Sequence, residues 1–418
     1  MSRVGRWLLK QSPVVRTGVV VVILIATVVT GYTTWATVRA DARFRAALSH
    51  EDRRDFAGAR AAFDRCLVDD PDSGQLLFHA ARVARRDGDL TAANRLLKLA
   101  KRQNWSDEAI DWERTLLRAQ STDFEVLEPK LRVALHTAPD HAETELVREV
   151  LLPGYMSRFQ WPSAYELLQN WIDRNPDELR LRLWMYEVAR RMSNSQEAIT
   201  AAQNAVRIAP ESRDARAKCA EILIENHQAA EAKVHYGWLL ERNPEDVEAR
   251  FGTAKCLHEL GDLDGATREL AALLERDPDR PAYLIERGKI DLQAGRPVVA
   301  RDLFRKAVER DRSNTELLYN YALALDQSGD KVEAKVWYDR HKKAEADLAE
   351  LQDVTARFAG EPNNPALPRR AGELLIQNGH EREGVRWLRR ALELDPTHSE
   401  TRKIWEKYQH LELSGRLP

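Results

Sequence analysis

Apolar and polar positions in this chain follow a helical period, and they also recur as a longer unit. The unit contains a small residue, an apolar or aromatic residue four positions later, a small or apolar residue three positions further on, and a closing proline. It occurs at Ala59-Phe63-Cys66-Pro71, Ala198-Ala202-Ala205-Pro210, Ala232-Tyr236-Leu239-Pro244 and Ala266-Leu270-Leu273-Pro278. Apolar residues at these spacings share one stripe of a helix. The pattern therefore predicts helices that bury one face and end at a proline.

The unit returns at a nearly constant period. Its closing position falls at Pro71, Trp105, Pro139, Pro176, Pro210, Pro244, Pro278, Arg312 and Ala346, and a last copy closes at Pro396. Seven of these steps are 34 residues long, one is 37 and the last is 50. Turn signals such as Asp87-Gly88-Asp89 lie inside each unit, where glycine supplies the left-handed conformation that ends a helix. Each unit is therefore predicted to be a pair of helices that stacks on its neighbours.

The period and the small, aromatic and proline positions resemble the tetratricopeptide repeat family, whose units have 34 residues. The resemblance covers residues 40–413. It implies an all-α fold, an α-solenoid in which helical hairpins wind into a right-handed superhelix. The family's first-helix Trp and Gly-Tyr positions are poorly kept, with Trp184 and Tyr321 near such places, and the repeat at 108–139 is the weakest.

Two steps of unusual length interrupt the array. The 37-residue step contains the connection Leu151–Pro162, which carries prolines and aromatic residues and which we expect to loop out. The 50-residue step contains the charged stretch Ala344–Phe358, which we expect to extend a helix, followed by a proline-rich bend. The predicted divisions are an array of about nine repeats at 40–346, a helix extension and bend at 347–368, and a final repeat with a capping helix at 369–413.

The amino-terminal region contains a long uncharged stretch at 17–38, which includes the apolar block Gly18–Val29. At about 1.5 Å per residue it reaches about 33 Å as a helix, enough for a hydrocarbon core of about 30 Å. We therefore predict a transmembrane helix at 17–38 after a short basic tail at 1–16. A cleaved signal peptide and a buried core helix are the alternatives, and Ala40-Asp41-Ala42 has the form of a cleavage site. The simplest insertion route places the large domain on the extracytoplasmic side.

Charge and motif content argue against several functions. Residues 1–45 carry seven basic residues and one acidic residue, whereas the whole chain has a net charge of −2, so the body is acidic. A general nucleic-acid binder would have a basic face, and we expect no nucleic-acid partner. The sequence has no phosphate-binding loop, HExxH, Gly-x-Ser-x-Gly or paired-cysteine motif, so we expect neither catalysis nor a cofactor nor a metal site. Cys66, Cys219 and Cys256 are predicted to be core thiols.

The resemblance also implies a concave groove, lined by the first helix of each repeat, that receives a peptide or helix from a partner protein. The predicted groove residues are Phe78, Arg82, Arg85, Arg86, Arg180, Glu187, Arg190, Arg191, Glu221, Glu225, Phe251, Lys255, His258, Lys289, Tyr319 and Asp326. The arginines suggest docking of acidic segments by bidentate pairing, and the alternative is that they pair with neighbouring Glu and Asp residues. The Lys/Asn clamp that holds chaperone tails in some family members is not found at matching positions, which disfavours that co-chaperone role.

The sequence thus predicts a membrane-anchored scaffold that presents a groove to partner proteins or peptides. The alternative is a non-catalytic accessory subunit of a membrane-associated enzyme, assembly or export complex. Self-association of the arrays is left open by the sequence.

Overall fold

A computed structural model describes residues 13–137 and 142–410 of the chain. In these ranges the structure consists of helices joined by turns, without strands. The helices are α1 (Pro13–Asp52), α2 (Phe56–Asp69), α3 (Gly74–Arg86), α4 (Leu90–Arg102), α5 (Asp107–Ser121), α6 (Phe124–Thr137), α7 (Ala142–Ser157), α8 (Trp161–Arg174), α9 (Leu179–Arg191), α10 (Ser195–Ile208), α11 (Arg213–Glu225), α12 (Ala229–Arg242), α13 (Val247–Glu259), α14 (Leu263–Arg276), α15 (Pro281–Gln293), α16 (Pro297–Arg310), α17 (Thr315–Gln327), α18 (Lys331–Gly360), α19 (Ala366–Gln377), α20 (Glu381–Leu394) and α21 (Ser399–Tyr408).

The helices form successive pairs, and the second helices preserve the sequence period. These second helices are the even-numbered ones from α2 to α20. They start at Phe56, Leu90, Phe124, Trp161, Ser195, Ala229, Leu263, Pro297, Lys331 and Glu381. The intervals between these starts are the 34, 37 and 50 residues seen in the sequence. The predicted all-helical solenoid of tetratricopeptide type is confirmed.

The chain divides into two compact units, unit 1 (Met1–Gly154) and unit 2 (Tyr155–Pro418). Among the described residues each unit has more than one small core, and each core is shared by neighbouring helices. In unit 1, Phe78, Leu97 and Ile110 share one such core. In unit 2, Phe304 and Tyr321 share another. Because no single helix pair encloses its own apolar side, the stability of each pair depends on its neighbours.

The turn inside each pair has a fixed construction, shown by Gly88 and Asp89. Gly88 ends α3 with φ +88°, a left-handed conformation that glycine adopts without steric cost. The side chain of Asp89 then accepts a hydrogen bond of 2.9 Å from the N–H of Ala92 and caps α4. The same left-handed position, two residues before the second helix, holds glycine at 261, 295, 329 and 379, but Arg54, Phe159, Ser193 and His227 elsewhere.

The 37-residue step does not loop out, contrary to our expectation. Helix α7 continues to Ser157 and has 16 residues, whereas α9, α11 and α13 have 13 each. The additional residues therefore lengthen a first helix. Leu151, Leu152 and Tyr155 are buried along it, and this burial maintains the helix although it contains Pro153.

The 50-residue step is also taken up by a helix. Helix α18 has 30 residues, whereas the second helices α14 and α16 have 14 each, and this difference accounts for the longer step. The charged stretch Ala344–Phe358 lies inside α18. A turn of five residues separates α18 from α19, at the place of the expected bend.

The amino-terminal apolar stretch lies within α1, which runs without interruption from Pro13 to Asp52. In residues 13–137 and 142–410, no helix has the length and apolarity required to cross a bilayer. The predicted transmembrane anchor is therefore not supported by the structure. Residues 1–12 of the basic tail and residues 411–413 of the capping segment lie outside the described residues.

Candidate protein-binding grooves

The first helices of neighbouring pairs contact one another in both units. In unit 1, α3 contacts α5, and in unit 2, α11 contacts α13, α13 contacts α15 and α15 contacts α17. An array whose first helices approach each other in this way has them on its inner side. We therefore call the side formed by the first helices the inner face of each unit. The predicted groove residues lie on these first helices, four of them in unit 1 and the others in unit 2.

In unit 1, the inner face is filled by ion pairs formed within the unit. Arg86 donates two hydrogen bonds of 3.0 Å to the carboxylate of Glu149 on α7 and one of 3.0 Å to Glu51. Arg82 lies 3.4 Å from Glu113 and 3.6 Å from Glu143. Burial opposes ionisation of Glu51, but a hydrogen bond with His79 and the charges of Arg86 and Arg82 together lower its pKa. These arginines therefore hold carboxylates of their own chain.

Phe78 and Arg85 are buried rather than exposed in the groove. The Phe78 ring lies in the core with its centroid 6.1 Å from that of Trp105. Arg85 and its partner Glu113 both have fully buried side chains, and Arg85 also donates a 3.1 Å hydrogen bond to Gln120. Neither residue presents a surface to a partner protein, because Phe78 lies in a core shared with α4 and α5 and Arg85 pairs with Glu113 on α5.

In unit 2, charged side chains link successive first helices across the inner face. Glu187 on α9 lies 2.8 Å from Lys218 on α11. Arg190 lies 3.3 Å from Glu221 and 2.9 Å from Glu225. Burial opposes protonation of Arg190, but Tyr186, Glu221 and Glu225 together raise the pKa of its guanidinium. These pairs connect adjacent repeats across the inner face.

His258 connects α13 to α15 in the next repeat. Its Nδ1 lies 2.6 Å from Glu286 Oε1 and its Nε2 lies 2.8 Å from Gln293 Oε1. The hydrogen bond with Glu286 raises the pKa of His258 despite partial burial. Burial opposes ionisation of Glu286, yet His258 and Lys289 lower its pKa. Lys289 continues the series, because it lies 2.8 Å from Glu316 on α17.

Other inner-face residues of unit 2 are open to solvent. Tyr319 is 44% exposed, with its ring centroid 5.3 Å from that of His341. Asp326, near the carboxyl end of α17, is also exposed. Phe251 is half-buried, and the Lys255 ammonium lies 5.3 Å from its ring centroid. Together these side chains offer apolar ring surface, one cation and one carboxylate, the groups that bind a polypeptide by stacking and pairing.

Two predicted groove arginines have other contacts. The Arg180 guanidinium lies 5.0 Å from the ring centroid of Trp171 and 4.4 Å from that of Trp184. Arg191 lies 3.2 Å from Glu383, a residue of α20 near the other end of unit 2.

Sequence reasoning missed several partners of these residues, among them Lys218, Glu286 and Gln293. Most of them follow or precede the predicted residue by 28 to 35 positions, which is about one repeat. A search for complementary side chains one repeat apart on the first helices would have found them. Glu383 lies 192 positions after Arg191 and carries no comparable signal.

The cysteines do not form a reactive site in the described structure. Cys66, Cys219 and Cys256 are buried free thiols. Cys219 Sγ lies 3.5 Å from His235 Nε2. Burial raises the pKa of Cys219 to about 12 and lowers the pKa of His235. Both groups are therefore neutral near pH 7, unlike the thiolate–imidazolium pair of a cysteine nucleophile.

Comparison with known families identifies the repeats. Sequence profiles described as tetratricopeptide repeat match residues 44–108, 223–285 and 291–358. These stretches are tetratricopeptide repeats. Among curated proteins, the Hsp70-Hsp90 organizing protein 1 of Glycine max is 25% identical over 166 residues. That match covers 39% of this chain and only 27% of the soybean protein.

Solved structures to which this chain is similar include PilW, described as a widely conserved type IV pilus biogenesis factor. It is 17% identical, with a TM-score of 0.40, over 47% of this chain and 91% of PilW. A tetratricopeptide repeat protein from Parabacteroides merdae is 14% identical, with a TM-score of 0.36, over 68% of this chain and 98% of its own. The structure of Naa15/Naa10 bound to HypK-THB matches at 14% identity and a TM-score of 0.38, over 89% of this chain and 66% of the matched chain.

Proposed function

We propose that this chain is a non-catalytic interaction scaffold that binds a polypeptide segment of a partner protein on the inner face of unit 2. Tetratricopeptide repeats mediate interactions between proteins, and such arrays present extended concave surfaces. The observation that carries the proposal is the set of Phe251, Lys255, Tyr319 and Asp326, of which Tyr319 and Asp326 are exposed and Phe251 and Lys255 are half-buried. The neighbouring charges, such as Glu187 and Lys218, are already paired within the array.

The chemistry of this surface suggests the kind of segment that it takes. Lys255 favours a carboxylate and Asp326 favours a basic group, while the rings of Phe251 and Tyr319 favour apolar or aromatic side chains. A segment of mixed charge with apolar anchors satisfies all four residues. The inner face of unit 1 is a poorer candidate, because Arg82 and Arg86 already bind carboxylates there.

A capture experiment tests the role of this surface. The full chain would be tagged, expressed in its own cell and chemically cross-linked to its partners, and the captured proteins identified by mass spectrometry. Lys255→Glu with Tyr319→Ala is expected to lose one or more specific proteins. Arg276→Glu is the matched control, because Arg276 is exposed at the end of a second helix and pairs with exposed Glu245. Equal capture by both variants would refute a binding role for the inner face of unit 2.

We also propose that α1 anchors the scaffold to a membrane, with the large C-terminal domain that follows residues 17–38 on the extracytoplasmic side. The uncharged stretch at 17–38 supports this proposal, as do the exposed side chains of Val22, Val28 and Val29 on α1. The rings of Tyr32 and Trp35 lie 6.1 Å apart, and the Arg39 guanidinium lies 5.0 Å from the Trp35 ring. Aromatic and basic residues in this arrangement are suited to the headgroup layer.

A further inference from the structure

One aromatic contact joins the beginning and the end of unit 2. Phe159 lies in the turn before α8, and Trp387 lies on α20. Their rings are stacked with centroids 3.7 Å apart and an interplanar angle of 11°. The edge of Phe358 from α18 packs on Trp387, and Trp161 packs edge-on against Phe159. Phe159 is 8% exposed and Trp387 is 4% exposed, so the contact excludes water.

An ion pair lies between the same parts of unit 2. Arg191 at the end of α9 is 3.2 Å from Glu383 on α20. Its side chains remain 47% and 35% exposed, so this pair is a weak surface contact. We call the contact formed by Phe159, Trp161, Arg191, Phe358, Glu383 and Trp387 the seam. The seam places side chains of α20, in the last helix pair of unit 2, against side chains near the start of unit 2.

The seam is formed by the irregular steps of the repeat. Phe159 belongs to the 37-residue step, and Phe358 belongs to the part of α18 that lengthens the 50-residue step. Phe159 also occupies the left-handed turn position, with φ +59°, where Gly261 and Gly295 stand in regular repeats. A bulky side chain is unfavourable in this conformation. The stack on Trp387 offsets that cost at Phe159.

The seam differs from the other junctions in unit 2. Adjacent helices such as α15 and α16 are covalently consecutive and pack along their lengths. The seam instead joins residues more than 190 positions apart, because Phe159 and Trp161 pack on the core of α18, α19 and α20 and one exposed ion pair lies beside them. Loss of the seam leaves every helix with its sequence neighbours, so the last pair can move away while remaining folded.

We propose that the seam is a gate: it closes unit 2 as seen here, and it opens by displacement of α19 and α20 to admit a partner segment to the inner face. The admission of a partner rests on the proposed function, whereas closure and opening of the seam do not. The occupant is the mixed-charge polypeptide segment described above. It enters between the first and last helix pairs instead of threading along the array.

Cross-linking across the seam measures its closure. In the full chain, Arg191→Cys and Glu383→Cys would be treated with a short bismaleimide, and the intramolecular product would be quantified by mass spectrometry. The unsubstituted chain is the reagent control, because its cysteines are buried. Adding Phe159→Gly or Trp387→Ala is expected to lower the closed-to-open equilibrium constant by about tenfold and so to slow cross-linking, since a stacked and buried aromatic pair is lost. Trp387→Phe is expected to retain most of it.

A matched control separates the seam from the turn itself. Ser193 occupies the same left-handed position one repeat later, with φ +55°, and has no part in the seam. Ser193→Gly is therefore expected to leave the cross-linking rate unchanged. Circular dichroism of Phe159→Gly is expected to show full helical content. Undiminished cross-linking in both Phe159→Gly and Trp387→Ala would overturn the gate, and so would loss of helical content together with cross-linking.

Partner capture with the seam locked distinguishes the two proposals. Cross-linked Arg191→Cys/Glu383→Cys chain is expected to capture less of the partner than the same chain before cross-linking. Equal capture by both forms would refute the gate and leave the proposed function intact. Absence of specific capture in every form would refute the proposed function, while the cross-linking rates would still report on closure.

Discussion

Nδ1 of His258 on α13 lies 2.6 Å from Oε1 of Glu286 on α15, and this contact links two successive repeats across the inner face of unit 2. The second ring nitrogen of His258 faces the side-chain oxygen of Gln293 at 2.8 Å. Only the imidazolium form donates to both oxygens at once. The charge state of one histidine therefore contributes to the cohesion of two repeats.

This contact predicts a pH dependence of stability. The pKa of His258 is raised in the folded chain, so its contribution is fully present below the unfolded value of about 6.5 and is lost as pH rises through the folded pKa. The pKa of Glu286 is lowered, so its contribution is present above about 4.5 and is lost as pH falls through the folded pKa. Melting curves of the full chain are expected to show decreasing stability above pH 6.5. His258→Gln should reduce this decrease, and an unchanged pH profile in that variant would contradict the assignment.

The buried pair of Arg85 and Glu113 predicts an asymmetric response to substitution. Both side chains are fully buried, so removal of one partner leaves an isolated charge away from water. Glu113→Gln is expected to reduce the free energy of unfolding by about 3 kcal/mol in chemical denaturation. Arg85→Met with Glu113→Leu is expected to recover most of this loss. A double variant less stable than Glu113→Gln would show that the pair itself stabilises unit 1.

An exposed ion pair provides the control for that experiment. Arg276 lies 2.8 Å from Glu245, and both side chains are more than half exposed. Arg276→Ala is expected to change the free energy of unfolding by less than about 1 kcal/mol. A larger effect would contradict the premise that burial of the pair determines how much stability is lost with one partner.

Two glycines predict opposite effects of the same substitution. Gly261 has φ +84°, so Gly261→Ala forces a side chain into the left-handed region and is expected to cost about 1 kcal/mol or more. Gly237 lies inside α12, and a methyl group added there would meet no heavy atom within 4 Å, so Gly237→Ala is expected to stabilise the chain by about 0.5–1 kcal/mol. Thermal unfolding of both variants measures the difference. Equal shifts of the same sign would contradict the assigned backbone conformations.

The proposed anchor predicts the behaviour of the chain in membrane fractions. The full chain is expected to stay in the pellet after alkaline carbonate extraction, and a variant without residues 1–38 is expected to appear in the supernatant. Protease added to sealed cells or vesicles reports which side carries the two units. Complete release of the full chain by carbonate would exclude anchoring by α1.

Much of the fold could be predicted from the sequence, because the repeating signal is local. The proline positions and the turn glycines define the helix pairs, and the second helices begin at the predicted intervals. The expectation of a loop at Leu151–Pro162 is wrong, because the buried side chains of Leu151, Leu152 and Tyr155 maintain the helix across Pro153. Helix length in this region is decided by burial rather than by the presence of proline.

The side-chain contacts of the site were less predictable. The sequence placed Arg86 on the inner face of unit 1 but gave no indication that Glu149, 63 positions later, would accept two of its three hydrogen bonds. Phe159 and Trp387 likewise carry no shared local pattern, since their contact depends on how many helix pairs separate them. Contacts between distant repeats depend on the accumulated geometry of the array, which the period alone does not fix.

Site-specific photo-cross-linking at Tyr319 tests the central claim most directly. Tyr319 would be replaced by p-benzoylphenylalanine in the full chain, and Val298, which is 52% exposed on the second helix α16, would be replaced in a matched chain. After irradiation in the native cell, the inner-face position is expected to yield a discrete adduct with a partner protein, and the Val298 position is expected to yield none. Adducts of the same protein at both positions, or none at Tyr319, would contradict binding on the inner face of unit 2.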